Sequence, residues 1–149
     1  MDCHEDVCRD TIKLPKFADS LEATVECPPD RSELGKAAWV LMHSAAAYSP
    51  EVPSSTQQQT FLELYQRIAS TYPCRECAGI FQEEVKKDPP RVSSRRELSV
   101  WVCQLHNKIN LHLGKTQFPC SLEALDKRWR KGPAECYGTL NDETAEFTY

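Results

Sequence analysis

The sequence predicts an all-helical protein: a four-helix bundle with a short fifth helix and a flexible N-terminal arm. Two observations carry this. Apolar residues recur three and four apart in each long segment, which places them on one helical face. No segment sustains the alternation of apolar and polar residues that a half-buried strand requires. The 149 residues suit one domain with a real core, and 40% of them are hydrophobic against 27% charged.

Residues 1–26 have few apolar residues and no sustained period, and read as a flexible arm carrying Cys3 and Cys8. Cys27-Pro28-Pro29-Asp30 opens a core, residues 27–136, that closes at Cys136. The first helix is predicted from about Ser32 to Tyr48, with Ser32 as N-cap. Ser49 to Pro53 forms a loop. Ser55 caps a second helix, in which Phe61, Leu64, Tyr65, Ile68 and Tyr72 share a face. Pro73 opens the third, because proline's missing N–H would be unpaired at a first helical position anyway. Phe81 and Val85 are its buried residues, and Asp88-Pro89-Pro90 stops it.

Ser94-Arg95-Arg96-Glu97 is a capping box for the fourth helix. Its core stripe is Leu98, Trp101, Val102, Leu105, Ile109 and Leu113, and Gly114 closes it. A short fifth helix, about Leu122 to Arg130, follows Cys120. Residues 137–149 look like an acidic, disordered tail.

A net charge of −4 argues against nucleic acid and against a basic membrane-binding surface. No apolar run approaches a membrane span. Eight cysteines are many for a reducing cytosol. Yet the start has no basic, then apolar, secretory signal, and Asp2, Glu5, Asp6 and Asp10 are foreign to a mitochondrial presequence. An oxidising compartment entered without a cleaved signal fits, and so does a chain trimmed of its targeting segment.

The chemistry concentrates in Tyr72-Pro73-Cys74-Arg75-Glu76-Cys77. A cysteine at a helix N-terminus feels the positive end of the dipole, which stabilises its thiolate. Cys74 and Cys77 fall on one face, close enough to bridge. A redox-active disulfide needs these two parts: a sulfur to be attacked and a partner to resolve it. The same spacing also serves half a zinc site or a structural disulfide. A thioredoxin-like enzyme would need βαβ patterning around its CxxC. Here a helical scaffold has to supply the electron acceptor in another way.

Two helices carry further candidates. Gly35, Trp39 and His43 fall at i, i+4 and i+8 of the first. Cys103, His106, Asn107 and Asn110 fall at i, i+3, i+4 and i+7 of the fourth. Separately they read as a buried Trp with a satisfied His, and as a solvated polar face. Together they suggest a site between helices for a large planar molecule. Cys74, Cys77, Cys103 and His106 would also make a tetrahedral zinc set. Cys120, however, is within reach of Cys103 around a helix end, and that bridge would contribute roughly 3 kcal/mol in the chain-entropy model. The cysteines then sort into the pairs Cys3/Cys8, Cys27/Cys136, Cys74/Cys77 and Cys103/Cys120, as one hypothesis among the connectivities open to them.

Several motifs in one order resemble the Erv/ALR family of flavin-linked sulfhydryl oxidases, nearest to its mitochondrial members. They are Cys27-Pro-Pro-Asp-Arg31, Gly35-Lys-Ala-Ala-Trp39 with His43, and Tyr72-Pro-Cys74-Arg-Glu-Cys77. Cys103-Gln-Leu-His106-Asn107-Lys-Ile-Asn110, Leu113-Gly114-Lys115 and Arg128-Trp129 continue the likeness. The arm departs from it: Cys3 and Cys8 are spaced C-x4-C, where animal and fungal members usually carry CxxC.

The resemblance implies a helical bundle enclosing FAD, a homodimer, and no metal. Arg31, Gly35, Lys36, Trp39, His43, Tyr72, Cys103, His106, Asn107, Asn110, Lys115, Arg128 and Trp129 would surround the flavin. Cys77 would lie beside the isoalloxazine ring, and Cys74 would be the outer sulfur attacked by incoming thiolate. Cys103–Cys120 would be structural, and Cys27 would bridge to Cys136 of the other subunit. Cys3–Cys8 would be the shuttle pair. The implied activity passes electrons from a protein dithiol through the CxxC and FAD to O2 or cytochrome c. The implied substrate is an import oxidoreductase of the mitochondrial intermembrane space; an endoplasmic-reticulum or viral member is the other placement. The competing reading is a zinc-stabilised helical binding module without catalysis.

Overall fold

The computed structural model describes residues 27–132 and Cys136. Its helices run α1 (Arg31–Ala47), α2 (Ser55–Thr71), α3 (Arg75–Lys87), α4 (Arg95–His112) and α5 (Leu122–Trp129). No strand occurs among the described residues, so the all-helical expectation holds. The predicted arm with Cys3 and Cys8, and the predicted tail 137–149, lie outside them. The chain divides into two compact units whose boundary falls inside α1, between Lys36 and Ala37.

In the first unit the cap of α1 is Asp30, not Ser32. Asp30 Oδ1 accepts the amides of Ser32 and Glu33 at 2.8 Å each, and Glu33 Oε2 accepts the Asp30 amide at 2.9 Å. This is a reciprocal capping box. A carboxylate outcompetes a hydroxyl here because it brings a full negative charge to the positive end of the helix. The hydrogen bond from the Glu33 amide in turn holds the Asp30 carboxyl below its ordinary pKa.

The second unit begins its helices on side-chain oxygens and one sulfur. Ser54, rather than Ser55, caps α2: its Oγ accepts the Gln57 amide at 3.3 Å, and Gln57 Oε1 accepts the Ser54 amide at 2.9 Å. Cys74 caps α3, so Pro73 lies outside the helix rather than at its first position. Ser94 and Ser121 cap α4 and α5 through their hydroxyls. Gly114 ends α4 as expected, at a φ of 65° that costs a residue without Cβ nothing. Its amide donates to the Leu111 carbonyl at 3.1 Å, and the Lys115 amide donates to the Asn110 carbonyl at 2.8 Å. That pair is a Schellman closure.

The core joins Met42 and Ala46 of α1, Tyr65 and Ala69 of α2, Phe81 and Val85 of α3, and Leu98, Trp101, Val102 and Leu105 of α4. Trp101 is fully buried, with Tyr65 edge-on at 5.1 Å. Both polar handles find carbonyls: Trp101 Nε1 donates to Asp88 at 2.9 Å, and Tyr65 Oη donates to Met42 at 2.9 Å. Removing a ring of this kind costs about 3–5 kcal/mol. The expected stripe overreaches at its end. Leu113 is 61% exposed, because it is the C-cap and its backbone has already left the helix.

Candidate functional site

The site starts at the head of α3. Cys74 and Cys77 form a disulfide, with Cα atoms 5.3 Å apart. Cys74 Sγ accepts the Cys77 amide at 3.4 Å, so the reactive pair is also the helix cap. Both sulfurs therefore sit in the first turn, where the unpaired amides favour thiolate. Cys74 is the more covered of the two, at 9% exposure, while Cys77 is half-buried. That order follows from the N-cap position, which folds the Cys74 side chain back over the helix start.

One turn beyond Cys77, on the same face, comes Phe81. Its ring meets Trp39 of α1 edge-on at 6.1 Å. Trp39 stacks on His106 of α4 at 3.9 Å and 6°. His106 Nδ1 lies 3.0 Å from His43 Nε2. His43 stacks on Trp129 of α5 at 4.4 Å and 2°, and the Arg128 guanidinium covers Trp129 at 4.4 Å. Two Trp–His stacks from three helices are thus joined through one imidazole–imidazole hydrogen bond.

These histidines are uncharged. Burial pushes His43 down to about 3, helped by the repulsion that a proton on it would meet from Arg128 and from a protonated His106. Burial, then Lys115, lowers His106 to about 4. With both neutral, one N–H is shared between them, and the two rings must hold matched tautomers. Flat uncharged rings, with Lys115 and Arg128 close enough to depress them, fit a planar aromatic ligand that carries negative charge.

The remaining candidates lie elsewhere along the chain. Arg31, Gly35 and Lys36 lie on the opening turns of α1, within the first unit. Tyr72 caps the C-terminus of α2 half-buried, and burial raises its phenol pKa. Asn110 is half-buried, its carbonyl accepting the Leu113 and Lys115 amides. Cys103, 1% exposed, is bonded to Cys120 with a Cα separation of 5.7 Å. Cys27 is disulfide-bonded, whereas Cys136 carries an exposed free thiol.

Asn107 also anchors a loop. Its Nδ2 donates to the Phe118 carbonyl at 2.8 Å, and its Oδ1 accepts the Phe118 amide at 2.9 Å. The carboxamide imitates a strand partner and pins the loop that delivers Cys120. The zinc set weighed from spacing is not assembled, since Cys103 is bonded to Cys120 and His106 is engaged by His43 and Trp39.

One cluster escaped the sequence reading. Arg95 is buried, its Nη1 2.6 Å from Asp126 Oδ1 and its Nε 2.5 Å from Glu51 Oε1. The signal was available: Arg95 precedes Leu98, Ser99 and Val102 by three, four and seven residues, on the buried face of α4.

Comparison with known proteins agrees with this geometry. A sequence model described as the Erv1 / Alr family matches residues 36–130. The chain is similar to the FAD-linked sulfhydryl oxidase ERV1 of Arabidopsis thaliana, 41% identical over 73% of this chain and 55% of that protein. It is also similar to the mitochondrial FAD-linked sulfhydryl oxidase ERV1 of Saccharomyces cerevisiae, 38% identical over 70% of this chain and 54% of that one. The chain thus spans about half the length of the curated relatives it matches. Among solved structures, the yeast Erv1 core aligns with a TM-score of 0.71 and 34% identity, over 80% of this chain and 98% of that one. The FAD binding domain of Erv1 from Saccharomyces cerevisiae aligns with a TM-score of 0.67 and 36% identity, over 71% and 99%.

Proposed function

Because the chain belongs to the Erv1/Alr family, we propose that it is an FAD-linked sulfhydryl oxidase that turns protein dithiols into disulfides. The observation that carries this is the Cys74–Cys77 disulfide at the head of α3, one turn from the ring that meets Trp39 of the neutral Trp–His array. Trp39, His43, His106 and Trp129 offer flat faces to FAD, and Lys115 and Arg128 offer charge to its phosphates. When bound, FAD supplies the two-electron acceptor that returns the dithiol to the disulfide and passes the electrons to O2 or cytochrome c.

The protein's own part is thiol exchange. A substrate thiolate attacks Cys74, forming a mixed disulfide and releasing Cys77 as thiolate. The substrate's second thiolate attacks the mixed bond, leaves as the oxidised disulfide, and leaves Cys74 and Cys77 reduced. The α3 N-terminus stabilises the thiolates at each stage. Cys77, on the Phe81 face, is the cofactor-side sulfur. Cys74 is the exchange sulfur, and its cover means that the partner must displace its surroundings to reach it.

Cys3–Cys8 is the shuttle that carries electrons from a bulky substrate to this pair, and a tether raises its local concentration to roughly millimolar. Two copies associate; the expected bridge from Cys27 of each to Cys136 of the other is not made in the single chain, where Cys27 is already disulfide-bonded and Cys136 is a free thiol, so forming it needs Cys27 to exchange its present bond. Mitochondrially named relatives support a mitochondrial protein, and we assign it to the intermembrane space, acting on a dithiol import oxidoreductase there. The test is a visible spectrum of the purified chain followed by anaerobic dithiothreitol. A yellow protein that bleaches supports the reading. A colourless protein that yields zinc to a chelator overturns it.

A further inference from the structure

Among the described residues, Arg95 is the only Lys, Arg, Asp or Glu that is buried. Buried ion pairs contribute little net stability but do fix orientation, so the question is what this one orients. Its guanidinium holds Asp126 of α5 through two contacts, Nη1 to Oδ1 at 2.6 Å and Nη2 to Oδ2 at 3.3 Å. Its Nε reaches Glu51, in the loop between α1 and α2, at 2.5 Å. Glu51 also receives Arg130 Nη1 at 3.5 Å, and Tyr48 Oη donates to the Arg130 carbonyl at 3.1 Å. Asp126 itself closes α5, because its carbonyl accepts the Arg130 and Lys131 amides at 3.0 and 2.7 Å.

The last turn of α5, which carries Trp129, is therefore gripped from the α1–α2 loop, by Tyr48 and Glu51, and from α4, by Arg95. The Cys103–Cys120 bond tethers the start of the helix, and its end depends more on these contacts. The helix is eight residues long, well below what persists alone, and Leu125 is its one buried residue. None of these polar contacts touches the ring array directly.

We propose that Arg95 is a positioning residue: through Asp126 and Glu51 it seats the end of α5 so that Trp129 lies flat on His43, and it thereby governs retention of the cofactor. The second half of this rests on the reading that the array holds FAD. The first half does not. His43 is faced by Trp129 and Arg128 from α5 and by His106 from α4, whereas His106 rests on Trp39 and feels Lys115. Unseating α5 should hydrate His43 and move Arg128 away from it, while His106 keeps its own stack.

The experiment is a histidine NMR titration between pH 5 and 7.5 on the full chain and on Asp126→Asn, with the FAD dissociation constant measured alongside. In the wild type, His43 and His106 stay neutral throughout. In Asp126→Asn, His43 should begin to titrate within this range and His106 should not. FAD affinity should fall about tenfold, or ~1.4 kcal/mol, and Asp126→Glu should restore both. If Asp126→Asn does not fold, Glu51→Gln, at a 64% exposed side chain, should give the same selective shift with smaller size. An unmoved His43, or His43 and His106 rising together, would overturn the proposal. A selective His43 shift in a chain that binds no FAD would uphold the seat and discard the flavin reading.

Discussion

The two described disulfides differ in almost everything except their bond. Cys74–Cys77 spans three residues at a helix end and caps that helix. Cys103–Cys120 spans 17 residues, begins at a side 1% exposed in the core, and ends in a loop pinned by Asn107. A short loop gives little chain-entropy stabilisation, so the first bond can open without threatening the fold. The second closes a long loop and keeps the Cys103 end of the bond in the core, with Cys120 half-buried. Placement, and not cysteine chemistry, divides one reactive bond from one structural bond.

The largest effect that would break this division is at Cys77. Cys77→Ser should still bind FAD, yet dithiothreitol should no longer bleach the flavin and oxidase turnover should drop to background. Rapid bleaching in that variant would remove Cys77 from the cofactor side. The structural bond should behave oppositely. Cys103→Ser/Cys120→Ser should lose about 3 kcal/mol, lowering the melting temperature by roughly 10 °C, with flavin reduction per folded molecule retained. Thermal melts and stopped-flow absorbance on one preparation compare the two.

A smaller effect belongs to the ring array and to neither disulfide. Below pH 6.5 the unfolded chain takes up a proton at His43 that the folded protein refuses until about pH 3. Stability should thus be flat above pH 6.5 and fall as pH drops through that window. At pH 5 the loss from His43 is about 2 kcal/mol. Melts at pH 7.5 and 5 should show it, with the same difference in Cys77→Ser. The smallest effect expected is at Asn107. Asn107→Ala should cost about 1 kcal/mol, the net worth of hydrogen bonds to an exposed Phe118 backbone that water can then solvate. It should also let dithiothreitol reduce Cys103–Cys120 faster, which mass spectrometry after thiol alkylation would count. Unchanged reduction would mean that burial of Cys103 alone protects the bond.

Helix order and the CxxC were legible because both are local: periodicity and a three-residue spacing need no tertiary knowledge. Caps were legible only to within a residue or two. Asp30 and Ser54 each stand beside another good capper, and the winner is set by which oxygen reaches two amides. Cys103–Cys120 could be weighed from reach around a helix end. The pairing of Trp129 with His43 could not, because nothing in either helix records its partner. The Ser94–Glu97 capping box names Arg95 without a role, although its register with Leu98 and Val102 marks it as buried. The bond from Asn107 to the Phe118 backbone was not legible either, because its partner lies in a loop with no pattern.

A cap made of sulfur has a consequence for time as well as for structure. The bond from the Cys77 amide to Cys74 Sγ ends on an atom whose charge changes during each turnover. A thiolate there is a stronger acceptor than a disulfide sulfur, and a sulfur drawn into a mixed disulfide is a weaker one. The first turn of α3 should therefore tighten and fray in step with the chemistry. Deuterium uptake at the Cys77 amide should slow in the reduced protein and quicken while a partner is attached, so that one backbone position reports the oxidation state without a chromophore.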